Sequence, residues 1–579
     1  MIGVSVQPDL AAATRRFDWH LCIALAVATL VLIPRGMAIV TAHSPCVDDN
    51  YHLYRGLLFL RHEQALLHDA QLNDPPLGEG VLAVPAWLGG QRMRNPARGI
   101  DRFSDKPPPP LACYLLPDAL RRQTAVWKSI LFLPVVAVIF LWLRSVYGAP
   151  SAWLGWAMLL TEPTLAAHLP LPTVDSLGTE GIILAAWAIW RYLGCPTRAN
   201  RLAAAAAVAL ALLLKSTALV LLPVAVLLAA VCWLRPPRTA GPPAYPRGRT
   251  PEFAFAVATV SLFMWIFMLG DFAIPAFGSP FKPSSFFGHF FNTHAVPCGT
   301  YLKAVYGGFL HARLGHPAVL LGQVSATGWW YYFPVLATYK IPLGLGLIMV
   351  LGIASLAWVR PRYQEIPLLS CALAWTATLM LQRINIGFRH FLPAEIFWLM
   401  LASRCVAAPC VVAPLRAVRA LAWTGLAAAA VHVALWTPDY LSYINFPRRA
   451  AYLQISDSNI DWGQGVWQIR HWLDAHPTET RPLYVGYLGP RDLNLFDLLG
   501  QRLSAYVNSD SPWISRPGQV ALRSSLPHGG ILILSPVLVT GQYGTSRFAP
   551  FCSLPPEQTI GHCLLLYDLD RLYAQGKLP

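Results

Sequence analysis

Apolar runs recur along this chain at roughly 20–42, 124–143, 150–164, 174–191, 198–215, 217–234, 253–270, 333–358, 366–382, 391–408 and 420–437. Crossing a bilayer as helix takes about 20 residues, so these are candidate membrane spans, about 11 of them. The polar segments between them alternate in character. Arg15 and Arg16 precede the first run, Arg144 follows the second, and Arg191, Arg198 and Arg201 separate the fourth and fifth. Arg235, Arg238, Arg247 and Arg249, then Arg360 and Arg362, then Arg404, Arg416 and Arg419 continue the series. Short arginine-bearing loops mark the cytoplasmic side. Because both flanks of Leu202–Trp233 are arginine-rich, that run crosses twice and places Lys215 at the outer turn. The first run reads as an uncleaved helix, since no small-residue cleavage site follows Leu21–Ile33.

Three polar segments fall on the other face: about 43–123, about 271–332, and the tail from about 438. Strand-like runs Leu483–Leu488, Gly530–Ser535 and His562–Tyr567 make the tail a small α/β domain. The expected architecture is an α-helical polytopic membrane protein over 1–437, with a small C-terminal α/β extracytoplasmic domain over 438–579.

Composition agrees. Of 579 residues, 55% are hydrophobic and only 13% charged, and the mean hydropathy is +0.45. A soluble globule carries about 25% charged residues, so that class is excluded, as are disordered and coiled-coil chains. The net charge of +15 sits between apolar runs and reads as topology rather than nucleic-acid binding. Among 11 cysteines there is no CxxC pair and no metal-ligand spacing. Cys552 and Cys563 read either as a disulfide of an extracytoplasmic tail or as two free thiols.

The outer face gathers the residues that could do chemistry. Asp48 and Asp49 follow the first span, in Cys46-Val-Asp-Asp-Asn-Tyr-His52. Adjacent carboxylates at a membrane surface suit proton abstraction or metal binding, or else simply begin a solvated loop. Asp74 precedes a rigid Pro-Pro turn after Asn73. His168 and Asp175 lie between the third and fourth spans, near Glu162, and Asp175 would also serve as a helix cap. Lys215, Lys340, Arg383, Arg389 and His390 are cations on the side where topology does not ask for them. Taken together they favour a phosphate site over snorkelling to anionic lipid. Gly328-Trp329-Trp330-Tyr331-Tyr332-Phe333-Pro334 reads locally as an interfacial aromatic belt.

In order along the chain, seven segments resemble glycosyltransferase family 39, the polyprenyl-phosphate-sugar-dependent (dolichyl-phosphate-mannose mannosyltransferase-like) enzymes of the GT-C superfamily. They are Asp48–Leu57, Asp74-Pro-Pro-Leu77, His168–Asp175, Lys215-Ser-Thr-Ala-Leu219, Gly328–Pro334 with Lys340, Ile386–Pro393, and Asp457-Ser-Asn-Ile-Asp-Trp-Gly-Gln464. The resemblance implies a GT-C fold and inverting transfer of a hexose or pentose from a polyprenyl-phosphate donor to an acceptor hydroxyl of a protein, lipid or glycan. It implies catalytic roles for Asp48 as general base, Asp49 and Asp175. It implies donor-phosphate binding by Lys215, Lys340, Arg389 and His390, with Lys128 as a further candidate. Substrate contacts would come from Asp74, His168, Trp329, Trp330 and Tyr331.

Two positions depart from the pattern: Asp49 stands where the family has Glu, and Asn73-Asp74 where it has Glu-His. No cofactor is therefore assigned, and a divalent cation is left open. The expected partners are the lipid donor, the acceptor and membrane lipid, without nucleic acid. The expected location is a bacterial inner membrane, with site and C-terminus in the periplasm. The competing classes are a transporter or flippase of lipid-linked sugars, and a degenerate relative acting as a binding protein. A transporter should show inverted repeats, or broken helices with polar residues near the bilayer midplane. Here no internal repeat is found and the candidate polar residues collect at one membrane face, which favours the enzyme.

Overall fold

The computed structural model describes residues 18–63, 67, 74–91, 118–234, 249–277, 285–357, 361–407, 413–446, 450–489, 495–508, 514–515, 526–544 and 546–578. Arg15, Arg16, Asn73, Arg235, Arg238, Arg247 and Arg360 lie outside the described residues.

The chain is mostly helical, with a small sheet-containing region at its C-terminus. Among the described residues five helices are long and apolar enough to cross a membrane: Trp19–Ala42, Ala119–Tyr147, Ser216–Leu234, Tyr363–Leu381 and Arg416–Ala434. Several other expected spans form shorter helices, such as Ala149–Thr161 with 13 residues, Arg198–Leu214 with 17 and Leu392–Ala402 with 11.

One expected span is not straight. The apolar run at 333–358 forms two helices, Tyr332–Lys340 and Leu343–Ala354, bent by 120° across the break. Pro342 stops the first helix because it has no N–H to donate and excludes helical geometry from the residue before it. Ile341 is accordingly extended, at ψ 123°.

Local chemistry sets the other boundaries. Pro75 is extended and Pro76 opens the helix Pro76–Leu88, where a missing N–H costs nothing. Glu162 ends Ala149–Thr161 and caps the short Pro163–His168 helix, accepting from the Thr164 amide at 2.9 Å and from the Leu165 amide. Lys215 separates Arg198–Leu214 from the turn Ser216–Val220 and the helix Leu221–Leu234, as two crossings require.

The arginine-bearing loops gather at one end of the bundle. Arg144 pairs with Asp18, the Arg404 Nη1 atom lies 3.7 Å from Glu365 Oε2, and Arg362 donates to the Val146 carbonyl. The long loops meet the C-terminal domain elsewhere, through contacts described below. Within the first long loop, helices Asp49–Leu60 and Pro76–Leu88 pack against each other. Close approach depends on Gly56, where an added Cβ would stand 2.0 Å from the Glu79 carbonyl oxygen.

The C-terminal sheet has six strands: β1 (Leu483–Tyr487), β2 (Leu503–Asn508), β3 (Ile514–Ser515), β4 (Ile531–Leu534), β5 (Gln558–Ile560) and β6 (Leu564–Asp568). Their order is β3-β2-β1-β4-β6-β5. β1 is parallel to both β2 and β4, and the outer pairings are antiparallel. Helix Val466–Ala475 covers one face through Val466, Ile469 and Leu473, while Phe548, Phe551 and Leu572 cover the other. Strand β4 is buried at every residue, as a strand covered on both faces should be. Cys552 and Cys563 are free thiols in this structure.

Candidate functional site

The first long loop sorts its two adjacent carboxylates. Residues Ser44–Val47 run beside the tail: the Ser44 amide donates to the Gln464 carbonyl and the Val47 amide to the Trp462 carbonyl, both at 3.0 Å. Helix Asp49–Leu60 starts directly afterwards, and Asp49 turns back to accept from the Cys46 amide at 2.9 Å. Asp49 is completely buried, and burial pushes its carboxyl up to about 6 against the opposing charge of Arg121. Asp48, at the cap position, is half-buried, and among the described residues its carboxylate accepts no hydrogen bond and forms no ion pair. A carboxylate with free lone pairs is the one available to take a proton.

The same loop holds an ion group that the motif reading passes over. Glu79 is fully buried, accepts from Arg55, and lies 2.9 Å from His52 Nδ1. His52 and Arg55 are three apart and so share a helix face. That spacing was the available signal. Asp74, by contrast, is described only through its charge. Its charge acts on His311 of the helix Gly299–Leu314, whose imidazole is held below its usual range by burial and by His316, with Asp74 opposing.

Asp175, in the first turn of Val174–Gly194, is the hub of the cations. It pairs with Lys215, and its Oδ2 lies 3.2 Å from Arg389 Nε. All three side chains are buried. The Arg389 guanidinium lies 3.9 Å from the centre of the Trp462 ring, and His168 packs on that ring at 5.7 Å. Burial lowers the His168 imidazole to about 3, so it is neutral at any physiological pH. His390 is likewise held well below its usual range by burial, then by Lys215 and Arg389. Arg389 Nη1 is buried without a hydrogen-bond acceptor. Such a donor is costly to leave unpaired and is matched by an anion's oxygens.

Two expected phosphate ligands are engaged elsewhere. The Lys340 ammonium donates to three carbonyls, Leu441 at 2.9 Å, Tyr443 at 2.9 Å and Asn459 at 2.5 Å. An ammonium has three N–H donors, so these contacts fill it. Lys128 does the same in the loop before Asp175, with the carbonyls of His168 at 3.2 Å, Thr173 at 3.0 Å and Leu171. Sequence cannot separate a lysine facing an anion from one holding carbonyls, because both sit in the same apolar surroundings.

The aromatic string splits. The Trp329 amide donates to Asn385 Oδ1 at 2.7 Å, which ties the string to the loop carrying Arg389. Trp330 is 65% exposed and meets Tyr331 edge-on at 5.5 Å, in keeping with a belt residue. A cavity bordered by His168, Lys340, Arg389 and Asn459 has a volume of about 10 Å³, room for one water and not for a sugar. Among the described residues no group of three or more His, Cys, Asp or Glu is arranged to hold a metal ion.

Asp457–Gln464, for which the sequence offers only a resemblance, is the joint between bundle and sheet. Asp457 Oδ2 accepts from Gln542 at 2.8 Å and Tyr543 at 2.7 Å. Asn459 Oδ1 accepts from the Phe388 amide at 2.9 Å. Asp461 Oδ2 accepts from Ser535 at 2.5 Å. Burial, then the Asp457 charge, push the Tyr543 hydroxyl far up, and Arg389 and Asp48 both act on it as well.

No protein-family model and no curated protein matches the chain. Among solved structures it is similar to "ArnT from Cupriavidus metallidurans bound to Undecaprenyl phosphate", at 13% identity and a TM-score of 0.47, over 94% of this chain and 97% of that one. It is also similar to ArnT from Cupriavidus metallidurans in the apo state, at 13% identity and a TM-score of 0.31, over 96% of this chain and 98% of that one.

Proposed function

We propose that this chain is an integral-membrane inverting glycosyltransferase. It moves a hexose or pentose from a polyprenyl-phosphate donor to an acceptor hydroxyl at the outer face of a bacterial inner membrane. The observation that carries the reading is the buried cation group, Lys215 and Arg389, which holds an open donor at Arg389 Nη1; Asp48 adds an unengaged carboxylate. The seven ordered sequence motifs support it independently.

In this scheme the acceptor oxygen attacks the anomeric carbon as the bond from that carbon to the phosphate oxygen breaks. Asp48 takes the hydroxyl proton, which grows acidic as the oxygen attacks. The phosphate departs with the bonding electrons, and Lys215 and Arg389 stabilise its charge. Asp175 holds both cations in place before the donor arrives, so little reorganisation remains for the reaction. Lys340, Lys128 and Asp49 support this arrangement from buried positions.

The test is transfer of radiolabel from a panel of polyprenyl-phosphate sugars in membranes, comparing the natural chain with Asp48→Asn. Transfer that falls by about a hundredfold or more in the variant, with the protein still inserted, supports the reading. Equal transfer in both removes Asp48 from the role of base. Donor binding without transfer from any sugar sinks the enzyme reading.

A further inference from the structure

The C-terminal sheet presents a crevice that its own chain fills. β1 connects to β2 on one side, and the chain then crosses to β4 on the other. The topological switch therefore lies between the C-terminal ends of β1 and β4, where open α/β sheets bind their ligands. Here the turn Asp461–Gly463 enters it. Asp461 Oδ2 accepts from Ser535, the first residue after β4, at 2.5 Å, and Asp461 Oδ1 accepts from the Gly463 amide at 2.9 Å. A Cβ on Gly463 would stand 2.8 Å from the Leu488 carbonyl oxygen just beyond β1.

The opposite side of this segment grips the loop that carries Arg389. Ser458 Oγ donates to the Ile386 carbonyl at 2.5 Å, Asn459 Oδ1 receives the Phe388 amide at 2.9 Å, and the Trp462 ring lies under the guanidinium. Gly387, at φ 145°, leaves no room for a side chain, since a Cβ would stand 2.1 Å from Ser458 Oγ. Asp457 has φ 61°, a left-handed conformation that a non-glycine residue keeps only when its surroundings impose it. Those surroundings are Gln542 and Tyr543 of the sheet domain, both donating to its carboxylate.

We propose that the C-terminal α/β domain is a positioning module: through Ser535, Gln542 and Tyr543 it sets the Asp457–Trp462 segment, which in turn aims Arg389 at the donor phosphate. The crevice that would hold a small ligand in a free-standing domain holds this segment instead. The assignment of phosphate to Arg389 rests on the proposed function; the mechanical coupling does not.

The coupling is read by hydrogen exchange on the detergent-solubilised full chain, in peptides covering 384–392, 457–464 and the helix Trp19–Ala42. Two variants act from the sheet side, Ser535→Ala and the double change Gln542→Ala with Tyr543→Phe. Each is expected to speed exchange in 384–392 by about tenfold or more, as loss of a buried polar contact does. The helix Trp19–Ala42 should stay protected, and Ser535→Thr, which keeps the hydroxyl, should restore the natural pattern. Unchanged exchange in 384–392 while 457–464 loosens overturns the coupling, and so does a uniform rise in every helix. Binding of undecaprenyl phosphate to the same samples then tests the aim of Arg389. Equal affinity in the natural chain and in a coupled variant overturns the positioning role. Coupling in a chain that binds no polyprenyl phosphate leaves the mechanical link standing and sinks the proposed function.

Discussion

Arg389 Nε lies 3.2 Å from Asp175 Oδ2, and the same carboxylate is bound by Lys215, so one buried anion orders two buried cations. Removing one member of a buried charge group leaves the others uncompensated, which costs about 3–5 kcal/mol. Asp175→Asn should therefore lower the unfolding temperature in detergent and cut transfer by about a hundredfold or more. Adding Lys215→Met to that variant should recover part of the stability, because the surplus cation is gone, and none of the transfer. Recovery of both would show that Lys215 serves only as a counterion.

Lys215 and Lys340 should separate in kinetics. Lys215 touches one carboxylate, whereas the Lys340 ammonium is filled by three carbonyls. Lys340→Met leaves those carbonyls without donors, each costing about 1–3 kcal/mol, so its main effect should be on folding. At a temperature where the variant stays folded, its KM for the lipid donor should be close to natural. Lys215→Met, which removes a member of the buried charge group and so also destabilises by about 3–5 kcal/mol, should differ in showing a large loss of kcat/KM where it stays folded. Thermal unfolding and initial rates on one preparation decide between the two patterns.

Asp49 gives stability a pH dependence whose sign is fixed by burial. Its carboxyl rises from 3.8 to about 6 in the folded chain, burial being the main cause. Between those values the folded state holds a proton that the unfolded state has lost, so stability falls as pH rises across that interval. The burden is absent below about pH 4 and fully present above about pH 6, where a shift near 2 units amounts to about 3 kcal/mol. Asp49→Asn keeps an oxygen for the Cys46 amide and removes the titration. Its unfolding temperature should vary less from pH 4 to 7 than that of the natural chain, and exceed it at pH 7.

Much of the architecture is written in periodicity. Apolar runs and alternating arginines locate the helices, place Lys215 at a break between two of them, and mark the C-terminal domain as α/β, because each follows from local composition. The bend at Pro342 inside 333–358 is not read this way, because hydropathy over a window averages across a single proline. Strands β2, β3 and β5 escaped notice because they are short or carry mixed residues, as in Leu503-Ser-Ala-Tyr-Val-Asn508. The site was legible as types and order, not as pairings. Nothing local says that Lys340 turns to carbonyls, or that Glu79 sits against Arg55 and His52. Those contacts join residues far apart along the chain, and only the packed fold decides them.

Gly56 tests whether the first long loop must be held rigid for Asp48 to work. An alanine Cβ there would lie 2.0 Å from the Glu79 carbonyl oxygen and 2.5 Å from its carbon, both backbone atoms that no rotamer change can clear. Helices Asp49–Leu60 and Pro76–Leu88 would have to separate, drawing Glu79 away from Arg55 and His52. Overpacking of this kind costs about 1–3 kcal/mol, and the disrupted ion group adds to it. Gly56→Ala should therefore lower thermal stability and abolish transfer together. Gly346→Ala, in the helix Leu343–Ala354 with nothing within 4 Å of an added Cβ, should change neither. If Gly56→Ala keeps natural stability and transfer, the two helices of this loop are not a rigid support, and the placement of Asp48 depends instead on its hydrogen-bonded neighbours along the Trp462–Gln464 segment.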